Sequence, residues 1–296
     1  MPDGALISPN TVEVLQPWEF PIEVMDVGAI NTEFFGPEAP SIIADEYQAI
    51  VRTDTNTVLG IHKQRYKPLE YTRIYESVLD AVNKSGVSKD FTINVNVLEG
   101  GKKIRIQILF EDIYIEDPEV GDYIKFKIDV VSSLDGAWPF LLTALGLRLW
   151  CKNGCTTPDP VCYTKYKHTH LIDVEAHAAK ISTALEAFYN HKDIWMEWRK
   201  VPVSHETAEN FFKKTLAKAQ TNTTEFKHNK VQLEALMGLW RKETQILGTT
   251  KWALFNACTY WQDHTEGDAA HNTRFRREAE MRKTLKSKHW EAICTT

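Results

Sequence analysis

The chain has 296 residues, 43% of them hydrophobic and 25% charged, with a formal net charge of −5. Those proportions exclude a wholly disordered chain, and no run approaches the ~20 uninterrupted apolar residues of a membrane helix. Five cysteines, an odd number, fit a reducing compartment better than a disulfide framework. The N-terminus MPDGALISPN lacks the basic and then apolar pattern of an export signal, so a soluble, cytoplasmic protein is expected.

Residues 1–51 hold nine acidic side chains and no Lys or Arg, while the other 245 residues hold 35 basic and 31 acidic ones. The acidity belongs to one arm, taken as residues 1–45, which also contains six of the twelve prolines. Prolines at that density argue against regular structure. The arm reads as a surface-laid leader, or alternatively as an acidic mimic that covers a basic face.

From Tyr47 the hydrophobic period is mostly two. Tyr47–Thr53 and Val58–Tyr66 flank the turn-rich Asp54-Thr55-Asn56 and predict a hairpin. Glu70–Asn83 predicts one crossing helix, with Ile74, Val78 and Val82 on one face and Gly86 as its stop. Strand patterns then resume. Ile93, Val95 and Val97 alternate with polar residues, and Ile104, Ile106 and Ile108 alternate with Lys103, Arg105 and Gln107. Ile124, Phe126 and Ile128 alternate with Lys125, Lys127 and Asp129, and Leu145, Leu147, Leu149 and Cys151 with Arg148, Trp150 and Lys152. Such alternation predicts an antiparallel sheet with one buried and one solvated face. The solvated face would carry Lys103, Arg105, Lys125, Lys127, Arg148 and Lys152. It reads either as ordinary exposed-strand chemistry or as an electropositive platform for phosphates, with Trp150 as a stacking surface.

From about Leu171 the period becomes 3.6. Val174, Ala178, Ile181, Leu185, Phe188 and Trp195 form a stripe, Pro202 ends it, and Ser204 opens a helix carrying Phe211, Phe212 and Leu216. Leu233–Leu247, Thr250–His264 and Asn272–His289 extend the helical region. The fold class is therefore α+β: an antiparallel sheet with a crossing helix over 46–170, then a mostly helical part over 171–296.

Four stretches, in order, carry a resemblance to a known family. They are Ile50–Leu69 (IVRTDTNTVLGIHKQRYKPL), Leu147–Gly154 (LRLWCKNG), the His168-Thr169 pair, and Leu247–His264 (LGTTKWALFNACTYWQDH). Together they resemble the phage/plasmid-like proteins that share domain of unknown function 932. The resemblance implies a viral or mobile-element origin and assigns no catalytic or binding residues. Gly154-Cys155 departs from the family pattern, and the acidic arm lies outside it.

Three groups could carry chemistry. Cys151, Cys155 and Cys162 with His168 and His170 have zinc-ligand side chains, but not the close pairing of zinc knuckles. No metal and no cofactor are expected. The stretch Tyr163–His170 alternates rings with cations, notably Lys165, Tyr166 and Lys167, as single strands require, or else it is a solvated linker. The terminal helix brings Arg274, Arg276, Arg277, Arg282, Lys283, Lys286 and Lys288 against Glu278 and Glu280. It could bind anions or fold back onto the arm. Asn256, Asp263 and His264 form a secondary candidate site within the last family motif, though a carboxylate beside an imidazole in sequence need not touch it in space. No phosphate loop, dinucleotide fingerprint, zinc-protease or hydrolase-elbow motif is present, so an enzyme is the weaker expectation. The leading expectation is an ATP-independent nucleic-acid-binding protein of a phage or mobile element. It would bind single-stranded DNA above all and form a homo-oligomer. A sheet edged by cations in such an oligomer would be analogous in architecture to phage single-strand annealing proteins. The alternative is a self-assembling structural or interaction protein without catalytic activity.

Overall fold

Residues 16–29, 42–117, 122–148, 153–155, 163–166, 174–218, 229–264 and 270–294 are described in the computed structural model; for Ala29, Asp117, Asp122, 145–148, 153–155, 163–166, Val174, Glu175, Ala178, Ala270, His271 and Cys294 only the backbone is. Among them the chain builds two antiparallel sheets and then a helical region.

The first sheet has three strands, β1 (Ile22–Ala29), β2 (Ile42–Arg52) and β3 (Thr57–Lys63), in that spatial order. The β2–β3 hairpin is the one its turn residues predict, with Asn56 at φ 51°. The strand β1 corrects the expectation that the arm has no regular structure. Pro21 sits immediately before it and the next proline is Pro37, so the intervening segment keeps the N–H groups that antiparallel pairing needs.

Helix α1 (Tyr71–Ser85) follows, burying Tyr71, Ile74, Val78, Ala81 and Val82. Gly86 stops it in the left-handed conformation, φ 65°, its N–H donating to the Asn83 carbonyl. The second sheet has six strands. β4 (Phe91–Leu98), β5 (Lys103–Asp117), β6 (Asp122–Ser133) and β7 (Phe140–Arg148) pair in sequence order, and β8 (Asn153–Cys155) and β9 (Tyr163–Tyr166) both pair with β7.

The helices are α2 (Val174–Lys200), α3 (His205–Lys214), α4 (Lys230–Leu247), α5 (Lys251–Asp263), α6 (Ala270–Leu285) and the short α7 (Lys288–Glu291). Ser204, Asn229 and Thr250 cap α3, α4 and α5, each side chain accepting a backbone N–H of the first turn. α1 and α2 pack together, and α2 covers the apolar side of the second sheet. An aromatic chain joins sheet to helices: Phe126 lies 5.3 Å from Phe188, and Trp195 lies 5.7 Å from Trp252. Trp198 continues it, 5.1 Å from both Phe255 and Trp290. The helix tryptophans are thus core residues.

The other side of the second sheet is covered over its β5–β6–β7 centre, while Thr92, Asn94 and Tyr114 on the same side stay exposed. Val131, Trp138 and Leu141 form a small cluster with Phe275 of α6, whose ring stacks 5.5 Å from Trp138. With both faces covered, alternation along a strand ceases to report exposure: the neighbours Leu141 and Leu142 are both buried. No helix among the described residues is long and apolar enough to cross a membrane.

Candidate nucleic-acid interface

The sheet cations are the first test of the platform expected from the sequence. Arg105, 2% exposed, and Lys127, 4% exposed, are buried, as is Lys103. Lys125 is half-buried and pairs with Glu111. Lys103 is held by Glu99 at 2.6 Å and Asp135 at 3.2 Å, with its ammonium 5.6 Å above Trp138. A Lys on a solvated strand needs no such partners, whereas a covered one does. The expectation of an open cationic face is corrected at these four residues.

Arg148 departs differently. In the β6–β7 register it is opposite Ile124, while Leu145 and Leu147 are opposite Lys127 and Lys125. It therefore occupies a register position on the apolar side of the sheet, so the five cations do not share one face. The side chains of Arg148, Lys165 and Tyr166, and all of Trp150 and Lys167, lie outside what the structure describes.

At the centre of the covered face is a charge network. The Arg105 guanidinium donates through Nε to Asp129 at 2.9 Å, through a second nitrogen also to Asp129, and on to Glu278 of α6 at 3.0 Å. Arg274, one turn earlier, meets Asp263 at 3.0 Å. Lys127, Arg105 and Arg274 thus face Asp129, Asp263 and Glu278, three charges of each sign. Burial alone would raise the Asp129 carboxyl, but Arg105, Lys127 and Arg274 hold it below the usual carboxylate range. Burial pushes Glu278 upward, and Asp129 and Asp263 add to that against Arg105 and Arg274. Burial lowers Lys127. Glu278 thus takes a proton more readily than Asp129. The terminal helix, read as an anion binder, uses one face to dock on the sheet instead.

The last family motif divides between two places. Asn256 is buried, its Nδ2 donating to the Trp252 carbonyl at 2.8 Å, a helix-internal bond. Asp263 turns into the buried network, where Arg274 offsets the unfavourable position of a carboxylate at a helix C-terminus. His264, the next residue, is exposed and stacks on Tyr260 at 3.8 Å and 9°.

That stacked pair lines an open groove of about 420 Å³ between α4, α5 and α6, with Val231, Leu239, Trp261 and Arg277 among its walls. The Lys242 ammonium is 5.0 Å above the Tyr260 ring. Arg277 lies 4.4 Å above Trp261 and donates to the Trp261 and His264 carbonyls at 2.5 and 3.3 Å. Burial and the neighbouring Arg276 weaken its hold on the proton against Glu280, but a guanidinium is so strong a base that it stays charged. Arg276 is exposed. Two flat rings, an exposed imidazole edge and two cations at an open groove form a surface that can stack a planar base and neutralise its phosphate.

Of the residues singled out from the sequence, Arg277 and His264 come together here, and Arg105, Lys127, Arg274 and Asp263 come together in the buried network. Tyr260 and Lys242 escaped sequence reasoning. The four-residue spacing of Tyr260 and His264 on a helix was the available signal, since it places both rings on one face. Cys151, Cys162, His168 and His170 lie outside the described residues, and among those described no cluster of three or more His, Cys, Asp or Glu side chains could hold a metal.

No curated protein and no solved structure gives a significant match to the chain. Residues 58–289, which include the buried network and the groove, match the family described as "Domain of unknown function (DUF932)". The chain belongs to the DUF932 family.

Proposed function

We propose that the protein binds single-stranded nucleic acid, DNA above all, without ATP, in the cytoplasm of a cell that carries a phage or mobile element, and serves its replication or recombination. The observation that carries this reading is the stacked Tyr260–His264 pair in an open groove flanked by Lys242 and Arg277. The sheet platform does not support it, because Lys103, Arg105 and Lys125 already have carboxylate partners and Lys127 is buried. Exposed Arg276, Lys283, Lys286 and Lys288 on and beyond α6 extend the cationic surface available to phosphates.

Fluorescence anisotropy with labelled single-stranded DNA at low salt tests this reading, with single-stranded RNA and duplex DNA as further arms. His264→Ala, which removes the exposed ring of the pair, should cost about 1–3 kcal/mol of binding, the usual worth of one stacked base. Absence of binding by the full-length protein at low salt would overturn the reading. A second reading, a self-assembling interaction protein of a virus or plasmid, draws its support from the exposed apolar side chains of the three-stranded sheet.

A further inference from the structure

We propose that the outer face of the three-stranded sheet is a self-association surface whose occupant is the same face of a second copy. This deepens the self-assembly reading and does not depend on nucleic-acid binding. Seven of the thirteen large apolar side chains exposed among the described residues lie on β1, β2 and β3, and all but Val24 and Ile42 share one side of that sheet. The register sorts them. Met25 is opposite Ala49 and Ala49 opposite Ile61; Val51 is opposite Glu23 and Val58; Tyr47 is opposite Lys63. Directly opposed residues project to the same side of a sheet, so these form one face. On it Val58 is 49% exposed, Ile61 57% and Met25 40%.

The opposite face is engaged at Gln48, Ile50 and His62. Ile50 is fully buried, and Gln48 donates to the Tyr66 carbonyl at 2.6 Å. His62 is stacked on Tyr66 at 3.9 Å, with its Nε2 2.7 Å from the Leu134 carbonyl. The small sheet is thus anchored through its inner side and presents a contiguous apolar outer side. On a soluble protein such a patch marks an interaction surface.

Its edges identify the partner. Glu23 lies on β1 and Lys63 on β3, the two edge strands, and both share the apolar face. Both are exposed, as are Arg65 and Lys67 just beyond β3. A two-fold axis lying between two copies of this face can bring the β1 edge of one protomer over the β3 edge of the other. Glu23 of each protomer then approaches Lys63 of its partner on both flanks of an apolar centre. The face is complementary to itself, as isologous contacts require. A polyanion would meet Lys63 but be repelled by Glu23 and find no cation in the centre. Three strands span only about 14 Å, so the contact sits at the small end of specific interfaces and dissociates in the micromolar range.

Sedimentation velocity of the full-length protein without nucleic acid, over a concentration series, reads this out. The wild-type protein should pass reversibly from monomer to dimer. Ile61→Asp should weaken the dimer roughly tenfold or more. Glu23→Lys and Lys63→Glu should each weaken it, and the double reversal should restore it; because both sites are exposed, these variants serve even where Ile61→Asp fails to fold. A monomer at every concentration would overturn the proposal, as would a dimer indifferent to these changes or singles that the double reversal does not rescue. Oligonucleotide binding retained by Ile61→Asp would leave the groove reading standing whatever the fate of the dimer.

Discussion

Arg105 on β5 and Glu278 on α6 are 173 positions apart in the chain and meet at 3.0 Å in a buried site. Arg105 also holds Asp129 on the adjacent strand, so one guanidinium ties two strands to a helix from the far end of the sequence. A buried charge of this kind is tolerated only while its partners remain.

Asp129→Asn should therefore destabilise the protein by about 3–5 kcal/mol, because it strands Arg105. Glu278→Gln should cost less, since burial raises that carboxyl and weakens its preference for the charged form, whereas Asp129 is held charged. The two carboxyls act in opposite senses with pH. Asp129, lowered in the folded state, contributes stability above its unfolded value near ~4 that is lost as pH falls through its folded value. Glu278, raised in the folded state, contributes stability that is present at low pH and lost as pH rises through its raised value. Urea unfolding across an acid pH series should show Asp129→Asn with a flattened acid loss and Glu278→Gln with a steeper one.

The groove predicts a salt signature. If Lys242 and Arg277 each neutralise a phosphate, replacing either by Gln should reduce the slope of log affinity against log salt by roughly 1. Arg105→Gln should leave the slope unchanged wherever the variant remains folded. Anisotropy titrations at several salt concentrations measure both.

Two glycines should respond in opposite directions to alanine. At Gly60 a Cβ would lie 2.6 Å from the Leu134 carbonyl oxygen, a backbone atom that cannot swing aside. Gly60→Ala should cost about 3 kcal/mol. Gly238, inside α4, has nothing within 4 Å of that position, and Gly238→Ala should stabilise by about 0.5–1 kcal/mol. Paired thermal and chemical denaturation distinguishes the two.

The chain's last helical turn should matter to stability. The fully buried Lys251 ammonium donates to the Trp290 carbonyl at 3.0 Å and lies 4.6 Å from its ring. Trp290→Ala should cost about 3–5 kcal/mol by leaving a cavity among Trp198, Phe211 and Phe255. Its unfolding midpoint in denaturant checks this.

Periodicity carried much of the fold. The strands around Ile104–Ile108 and Ile124–Ile128, the crossing helix closed by Gly86 and the helix begun by Ser204 all stand where local pattern put them, because each depends on neighbours within a few residues. What failed was non-local. The burial of Lys103, Arg105 and Lys127 depends on α6, and nothing near β5 in sequence announces that Glu278 will reach it. The strand β1 was hidden by the prolines on either side of it. Arg148 falls on the apolar side by its register opposite Ile124, which no residue close to it in sequence fixes. The groove is half legible: Arg277 and His264 stand out by charge and motif, whereas Tyr260 gains meaning only when its four-residue spacing from His264 is placed on one helix face.

The docked α6 has one further consequence. Glu278 occupies the position that a phosphate oxygen would seek beside Arg105, and it is tethered to the same chain. An external polyanion must therefore outcompete a ligand that is always present, at an effective concentration of roughly millimolar or higher. In that sense the carboxylate is a resident substitute for phosphate, and the sheet's strongest cation is reserved for the protein's own fold.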